Sequence, residues 1–315
     1  MRLTKSLTLG FLIALFFTVP LIWLPWTSEL FEIPKMIITY VFLSLLLITF
    51  SISAITDKSK PHVVFPLQKT LLLFLACMLI ATINSIDIHT SLWGYYSRFQ
   101  GGLISLITYI IILIITATHI NQNPKSKHIL IITIIVTTLI VSIYGILQHF
   151  GIDAKMWKQD VQSRVFSTLG QPNWLAAYLS AVVPLSWIYT NSKSDYKNWF
   201  LITTNIIIYL ALLYTKSRSG FLAYIVAFTI YWSLKTLSDH HWKTPLLLIT
   251  PLIIISIIVG TPFTSTLQAL ESSKTAIVTS EAISQSEGGT ESGVIRQIVW
   301  QGAIQLGNKY PFFGT

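Results

Sequence analysis

The sequence predicts an all-α fold, a polytopic bundle of transmembrane helices, and three observations carry that expectation. Only 10% of the 315 residues are charged while 53% are hydrophobic, where an ordinary soluble domain carries about 25% charged residues. Nine apolar segments approach the length of about 20 residues that a bilayer core demands, and none of the nine contains Asp, Glu, Lys or Arg. Aromatic residues gather near segment ends (Trp23, Trp26, Trp199, Trp232), as interfacial residues do.

In order, the segments are 7–26, 36–55, 70–86, 102–119, 129–149, 174–190, 199–215, 219–234 and 245–262. The first follows Arg2 and Lys5, as a signal peptide would. It is too long for such an apolar region, contains Pro20 and lacks a small-x-small cleavage site, so it reads as an uncleaved span. The remaining eight are separated by short polar gaps, which makes neighbours antiparallel.

Lysine and arginine set the orientation. A cytoplasmic N-terminus puts Arg2 and ten lysines (5, 58, 60, 69, 125, 127, 193, 197, 235 and 243) in short inner gaps with three carboxylates. The ten remaining cations then fall in longer outer gaps with nine carboxylates. Nine crossings follow. They divide the chain into a transmembrane helical domain, 1–262, and the start of a large external loop, 263–315.

The type of cation separates more sharply than the number. Four of the five arginines, Arg98, Arg164, Arg218 and Arg296, land outside. Lysine inside is the ordinary topological signal, whereas arginine outside runs against it. A planar five-donor fork suits phosphate better than a lysine point charge does. The stretch TKSRSG at 215–220, with Lys216 and Arg218 in one tight hairpin, is the plainest instance.

The other outer gaps carry their own signals. Arg164 precedes a Gly-Gln-Pro-Asn turn that opens a span, with Pro172 suited to a first helical position. Amides at such a start attract anions, and Asn173 reads either as a plain cap or as part of that site. Around Arg98 stand Trp93, Tyr95, Tyr96 and Phe99, rings that anchor a helix at the interface or stack on sugar faces. Within 263–315, residues 271–293 read as a Gly/Ser-rich loop. An amphipathic helix follows at 294–306, with Ile295, Ile298, Val299 and Leu306 on one side; Gly307-Asn308 ends it. Arg296 and Trp300 are four apart and share a face.

Several classes are excluded. A net charge of +9 is scattered singly between apolar runs, without the basic helix or platform of a nucleic-acid binder. The single cysteine, Cys77, reads as a packing residue and excludes an internal disulfide framework. No histidine, cysteine or carboxylate spacing marks a metal site.

Five stretches together resemble the O-antigen ligase and polymerase superfamily of polytopic bacterial membrane proteins. They are SLWGYYSRFQGG at 91–102, SIYGILQHFGID at 142–153, RVFSTLGQPNWLAAYL at 164–179, TKSRSGFLAY at 215–224 and IRQIVWQGAIQLGNKYPFFGT at 295–315. The resemblance covers the chain from about residue 85 onward. It implies a glycosyltransferase of GT-C type in the bacterial plasma (inner) membrane, its active site facing outward. The donor is a glycan on undecaprenyl pyrophosphate; the acceptor is a hydroxyl of a lipopolysaccharide core, of another glycan or of a protein. It implies no cofactor and no metal. Arg218 and Arg296 are the implied catalytic residues, with Arg164, Arg98, Asn173, Trp300 and Lys216 binding substrate. Membrane lipids are the remaining partners. Relatives place a histidine, the implied general base, beyond the point matching Thr315, so the resemblance implies a truncated chain. The histidines at 62, 89, 119, 128, 149, 240 and 241 do not match that position. The competing readings are a transporter or flippase of lipid-linked sugars and an inactive fragment without the histidine.

Overall fold

The computed structural model describes residues 2–56, 63–189, 195–239, 243–264 and 292–310. Every regular element among them is helical. In chain order they are α1 (Arg2–Leu21), α2 (Glu32–Thr56), α3 (Gln68–Ile83), α4 (Ile88–Trp93), α5 (Leu103–Gln122), α6 (Pro124–His149), α7 (Pro172–Trp187), α8 (Asp195–Tyr214), α9 (Arg218–Asp239), α10 (Lys243–Val259) and α11 (Ser292–Lys309). Two 3-10 turns, Ala154–Met156 and Ser167–Leu169, lie between α6 and α7.

Five helices are long and apolar enough to cross a membrane: those over Leu3–Leu21, Glu32–Thr56, Leu103–Gln122, Pro124–His149 and Arg218–Ser238. Shorter apolar helices cover Gln68–Ile83, Trp199–Tyr214 and Pro245–Val259. Large apolar side chains stand exposed along these helices, Ile257 and Ile258 at 77% and Leu73 at 67%. Such surface is stable only against hydrocarbon, and the chain is a helical membrane-embedded protein. Cys77 is exposed on α3, which corrects the packing expectation: α3 turns most of its apolar residues outward.

The chain falls into two compact units. One gathers residues 1–60 and 119–268, the other 61–118 and 269–315. In the first, the core lies where α6, α7, α8 and α9 meet, with Val141, Leu175, Leu179, Val183, Trp187 and Leu212 fully buried. Trp187 donates its indole N–H to Asn205 Oδ1 of α8 at 2.8 Å. A bond of this kind between membrane helices contributes about 0.6–2 kcal/mol. In the second unit, the Thr118 hydroxyl accepts from the Val64 amide at 3.0 Å, and Asp87 caps α4 by accepting from the Thr90 amide at 3.1 Å. Sequence patterning gave no sign of α4, because six residues are too few to show a period.

At one end of the first unit several helix termini converge. α2 starts earlier than expected, at Glu32, because the Glu29 carboxylate accepts from the amides of Phe31, Glu32 and Ile33. Lys35 is thereby drawn into the helix. Its ammonium donates to the carbonyls of Val19 (3.1 Å), Pro20 (3.2 Å) and Ile22 (2.6 Å) at the end of α1. The expectation that ionisable residues stay out of the helices is therefore corrected. A carboxylate at one helix start and an ammonium at the other's end both oppose the local dipole and pair groups that lipid would leave bare.

Candidate functional site

The same end holds the hairpin between α8 and α9. Lys216 closes α8 with a left-handed backbone, φ 49°, its amide donating to Leu213 O at 3.0 Å. A non-glycine residue there costs about 1–2 kcal/mol, so the turn is held by its surroundings. Thr215 and Ser217 are buried; the Thr215 hydroxyl accepts from the Ser217 amide at 3.1 Å. Ser217 Oγ accepts from the Gly220 amide at 3.4 Å, a cap for α9, and donates to Asn173 Oδ1 at 3.0 Å. Lys216 and Arg218 remain exposed above this paired floor. Arg218, the first residue of α9, has no acidic residue beside it in that turn, although a helix start disfavours cations. Its guanidinium lies 5.9 Å from the centroid of Phe263.

Arg164 reaches the hairpin from the α6–α7 connection. Its Nε donates to Thr215 O at 3.1 Å and its Nη2 to Asn173 Oδ1 at 3.4 Å, while the Val165 amide donates to Tyr214 O at 3.2 Å. Asn173 thus accepts from both Arg164 and Ser217. It does not cap α7, whose cap position is Gln171; the plain-cap alternative is corrected because Pro172 starts the helix one residue earlier. Arg164, Asn173 and residues 215–218 are brought together by these bonds.

What shapes the Arg164 segment is a buried polar network. Gln148, fully buried near the end of α6, accepts through Oε1 from the amides of Phe166 (3.0 Å) and Ser167 (2.8 Å). Ser167 has φ 52°, and its hydroxyl donates to Val141 O at 2.7 Å. Gln148 donates in turn to Asp153 Oδ2 at 3.0 Å, which also accepts from Tyr144 and Trp157, each at 2.6 Å. Beneath lies an aromatic cluster of Trp23, Phe31, Trp157 and Phe166. Gly170 (φ 82°) is required there, since a Cβ would strike the Phe31 ring.

Two further residues were not singled out as site candidates by the sequence. His149 ends α6, half-buried, its ring stacked on Tyr214 with centroids 3.8 Å apart at 16° and its Nδ1 2.6 Å from Gln162 O. Asp160 accepts through Oδ1 from the Gln162 and Ser163 amides at 3.1 and 3.2 Å. The Ser163 amide and hydroxyl, followed by the Gln162 amide and the Lys216 charge, hold its carboxyl below the usual carboxylate range. The only advance signal for His149 was that two segments expected to run in parallel, 129–149 and 199–215, end on the same side.

In the second unit, Arg98 is exposed, its guanidinium 6.0 Å from the Tyr95 centroid. Tyr95 stacks on Tyr96 at 5.2 Å, so this hairpin presents two phenols and a cation. Arg296 belongs to α11, its side chain outside the described residues; its expected face with Trp300 lies outside them too. Trp300, Ile298, Val299 and Ile304 are exposed on α11. The helix continues through Gly307-Asn308 to Lys309, against the expected stop. The expected loop at 271–293 lies almost wholly outside the described residues.

Chemically, the first unit's end offers exposed cations on a rigid polar floor, beside an imidazole and a carboxylate, which suits an anionic group carrying hydroxyls. Among the described residues, no three His, Cys, Asp or Glu side chains gather as metal ligands. No protein-family model, curated protein or solved structure matches the chain.

Proposed function

We propose that the protein is a membrane glycosyltransferase of the O-antigen ligase and polymerase type, with nine crossings, a GT-C-like bundle and a cytoplasmic N-terminus. It moves a glycan from undecaprenyl pyrophosphate to an acceptor hydroxyl on the outer face of a bacterial plasma membrane. The observation that carries the reading is the joining of Arg164 to the 215–218 hairpin through Asn173 and Thr215. Two motifs far apart in sequence are tied at one end of the bundle, where Lys216 and Arg218 also stand exposed. As the glycosidic bond breaks, charge grows on the departing pyrophosphate. Fixed guanidinium groups stabilise it most in the transition state. Arg218 is the catalytic cation in this reading, with Arg164, Lys216 and Asn173 holding the pyrophosphate; the resemblance assigns Arg296 to catalysis beside it, and Arg98 and Trp300 to substrate binding.

A transporter of lipid-linked sugars needs ionisable groups within its spans that can load and release cargo or ions. Lys35 is half-buried, and its ammonium is committed to three carbonyls at the end of α1. The deciding experiment uses the protein in liposomes with an undecaprenyl-pyrophosphate-linked glycan and an acceptor. Joining of glycan to acceptor, lost in Arg218→Ala, is the expected result. Translocation without joining overturns the reading.

A further inference from the structure

The stripe of large apolar side chains that α6 turns outward does not stop where the helix stops. Ile140, Ile143, Leu147 and Phe150 recur at spacings of three, four and three, which keeps them on one face. The three on the helix are 40%, 41% and 40% exposed, and Phe150, just past its end, is 72% exposed. Ile152 and Met156 follow at 64% and 66%. A continuous strip of this kind calls for an apolar partner.

We propose that the segment 150–158 is a lipid-docking ledge: Phe150, Ile152 and Met156 enter the acyl-chain boundary of an anionic phospholipid leaflet, and Lys155 and Lys158 meet its phosphates. The length of α6 sets the depth. Its 26 residues span about 39 Å at 1.5 Å each, whereas the hydrocarbon core is about 30 Å thick, so the helix end emerges among the headgroups. Both lysines are exposed. Lysine lays its methylene stem along apolar surface while its ammonium stays with the phosphates. The other exposed charge ahead of Arg164, Asp160, is turned to its own loop and accepts from the Gln162 and Ser163 amides.

The backbone leaves the ledge no inward alternative. α6 ends in a Schellman motif: the Ile152 amide donates to Leu147 O at 3.2 Å and the Gly151 amide to Gln148 O at 3.0 Å, with Gly151 left-handed at φ 86°. In this motif the residue after the glycine commonly packs on the residue five before it, here Leu147 of the stripe. Asp153, buried, then fastens the chain inward, its Oδ2 accepting from Tyr144, Gln148 and Trp157. With Asp153 turned in, Ile152 and Met156 stay outside. The same connection carries Arg164, so the ledge fixes the height of Arg164 and the 215–218 hairpin against the headgroup phosphates. Docking of this kind is independent of the reaction that the cationic end performs.

The test uses the full chain with Cys77→Ser, because Cys77 is exposed, and adds Ile152→Cys, Met156→Cys, Ile143→Cys or Gln159→Cys singly. Each variant carries an environment-sensitive nitrobenzoxadiazole label and sits in vesicles of equal parts phosphatidylcholine and phosphatidylglycerol. The label at 143 is the reference for lipid. The label at 159, an exposed polar position, is the reference for water. The expected emission at 152 and 156 is blue-shifted toward that at 143, and lipids brominated on their acyl chains quench it several-fold more than iodide does. Water-like emission quenched by iodide, as at 159, overturns the proposal. So does blue-shifted emission that neither reagent quenches, because protein, such as a second copy of the chain, then covers the ledge. Should one labelled variant fail to fold, the other decides alone. Lys155→Gln combined with Lys158→Gln should cut the brominated-lipid quenching at 156 and erase its difference from vesicles of phosphatidylcholine alone. Unchanged quenching in that variant overturns the assignment of the lysines to anionic headgroups.

Discussion

Gly220 of α9 lies so tightly against Ala176 of α7 that a Cβ built on it would overlap the Ala176 methyl and stand 3.3 Å from its Cα. Four residues on, the Ser180 hydroxyl donates to Gly220 O at 2.9 Å. Small residues let two membrane helices approach this closely, and that approach brings Asn173 at the start of α7 to Ser217 before α9. Gly220→Ala is therefore expected to cost about 1–3 kcal/mol through overpacking. The added Ala176→Gly change recovers much of it. Thermal unfolding of the detergent-solubilised variants measures both, and an unchanged single variant would show that the helices slide apart freely.

Asn173→Ala removes the acceptor shared by Arg164 and Ser217. Loss of one side-chain hydrogen bond to a charged group costs about 1.5–3 kcal/mol, so transfer should slow roughly tenfold to a hundredfold. Asn173→Asp restores an acceptor but places a negative charge against the guanidinium, and it should weaken donor binding further as pH rises. Initial rates and donor titrations on the two variants test this pair of effects.

Gln148→Leu is expected to be among the most damaging substitutions outside the cationic residues. It strands the amides of Phe166 and Ser167, both buried, at about 1–3 kcal/mol each. Asp153 also loses one of its three donors. Hydrogen exchange should accelerate at 165–168, with little change in the distant half of α6.

Orientation is open to direct chemical test. With Cys77 first changed to Ser, because it is exposed, a Lys158→Cys variant should react with a membrane-impermeant maleimide on intact cells. Lys127→Cys should react only after permeabilisation. The reverse pattern inverts the proposed topology and removes the active end from the outer face.

Helices were the legible part of the sequence, since each apolar segment falls on one, although termini moved: α1 stops at Leu21, short of the expected 26, and α6 starts at Pro124, ahead of the expected 129. Lys35 was assigned to a gap because charge excludes a residue from an apolar window, yet three carbonyls of α1 pull it into α2. Asn173 could be read as a cap or as part of a site because both uses present the same residue after the same proline. The partners that decide it, Arg164 and Ser217, are distant in sequence. His149 stayed unread for a similar reason: nothing at 149 announces Tyr214 as a stacking surface. Pairings within one helix leave a periodic trace, whereas pairings between helix ends leave none.

The Lys35 latch has a consequence for biogenesis. α1 and α2 leave the ribosome long before Thr168, whose hydroxyl donates to Pro20 O at 2.7 Å, the same oxygen that accepts from Lys35. The first hairpin can thus enter lipid with the end of α1 already satisfied by its own downstream residue. Pro20 O keeps a second lone pair that is filled only when the α6–α7 connection arrives. One carbonyl thereby records two successive events, insertion of the first hairpin and docking of the segment that carries Arg164.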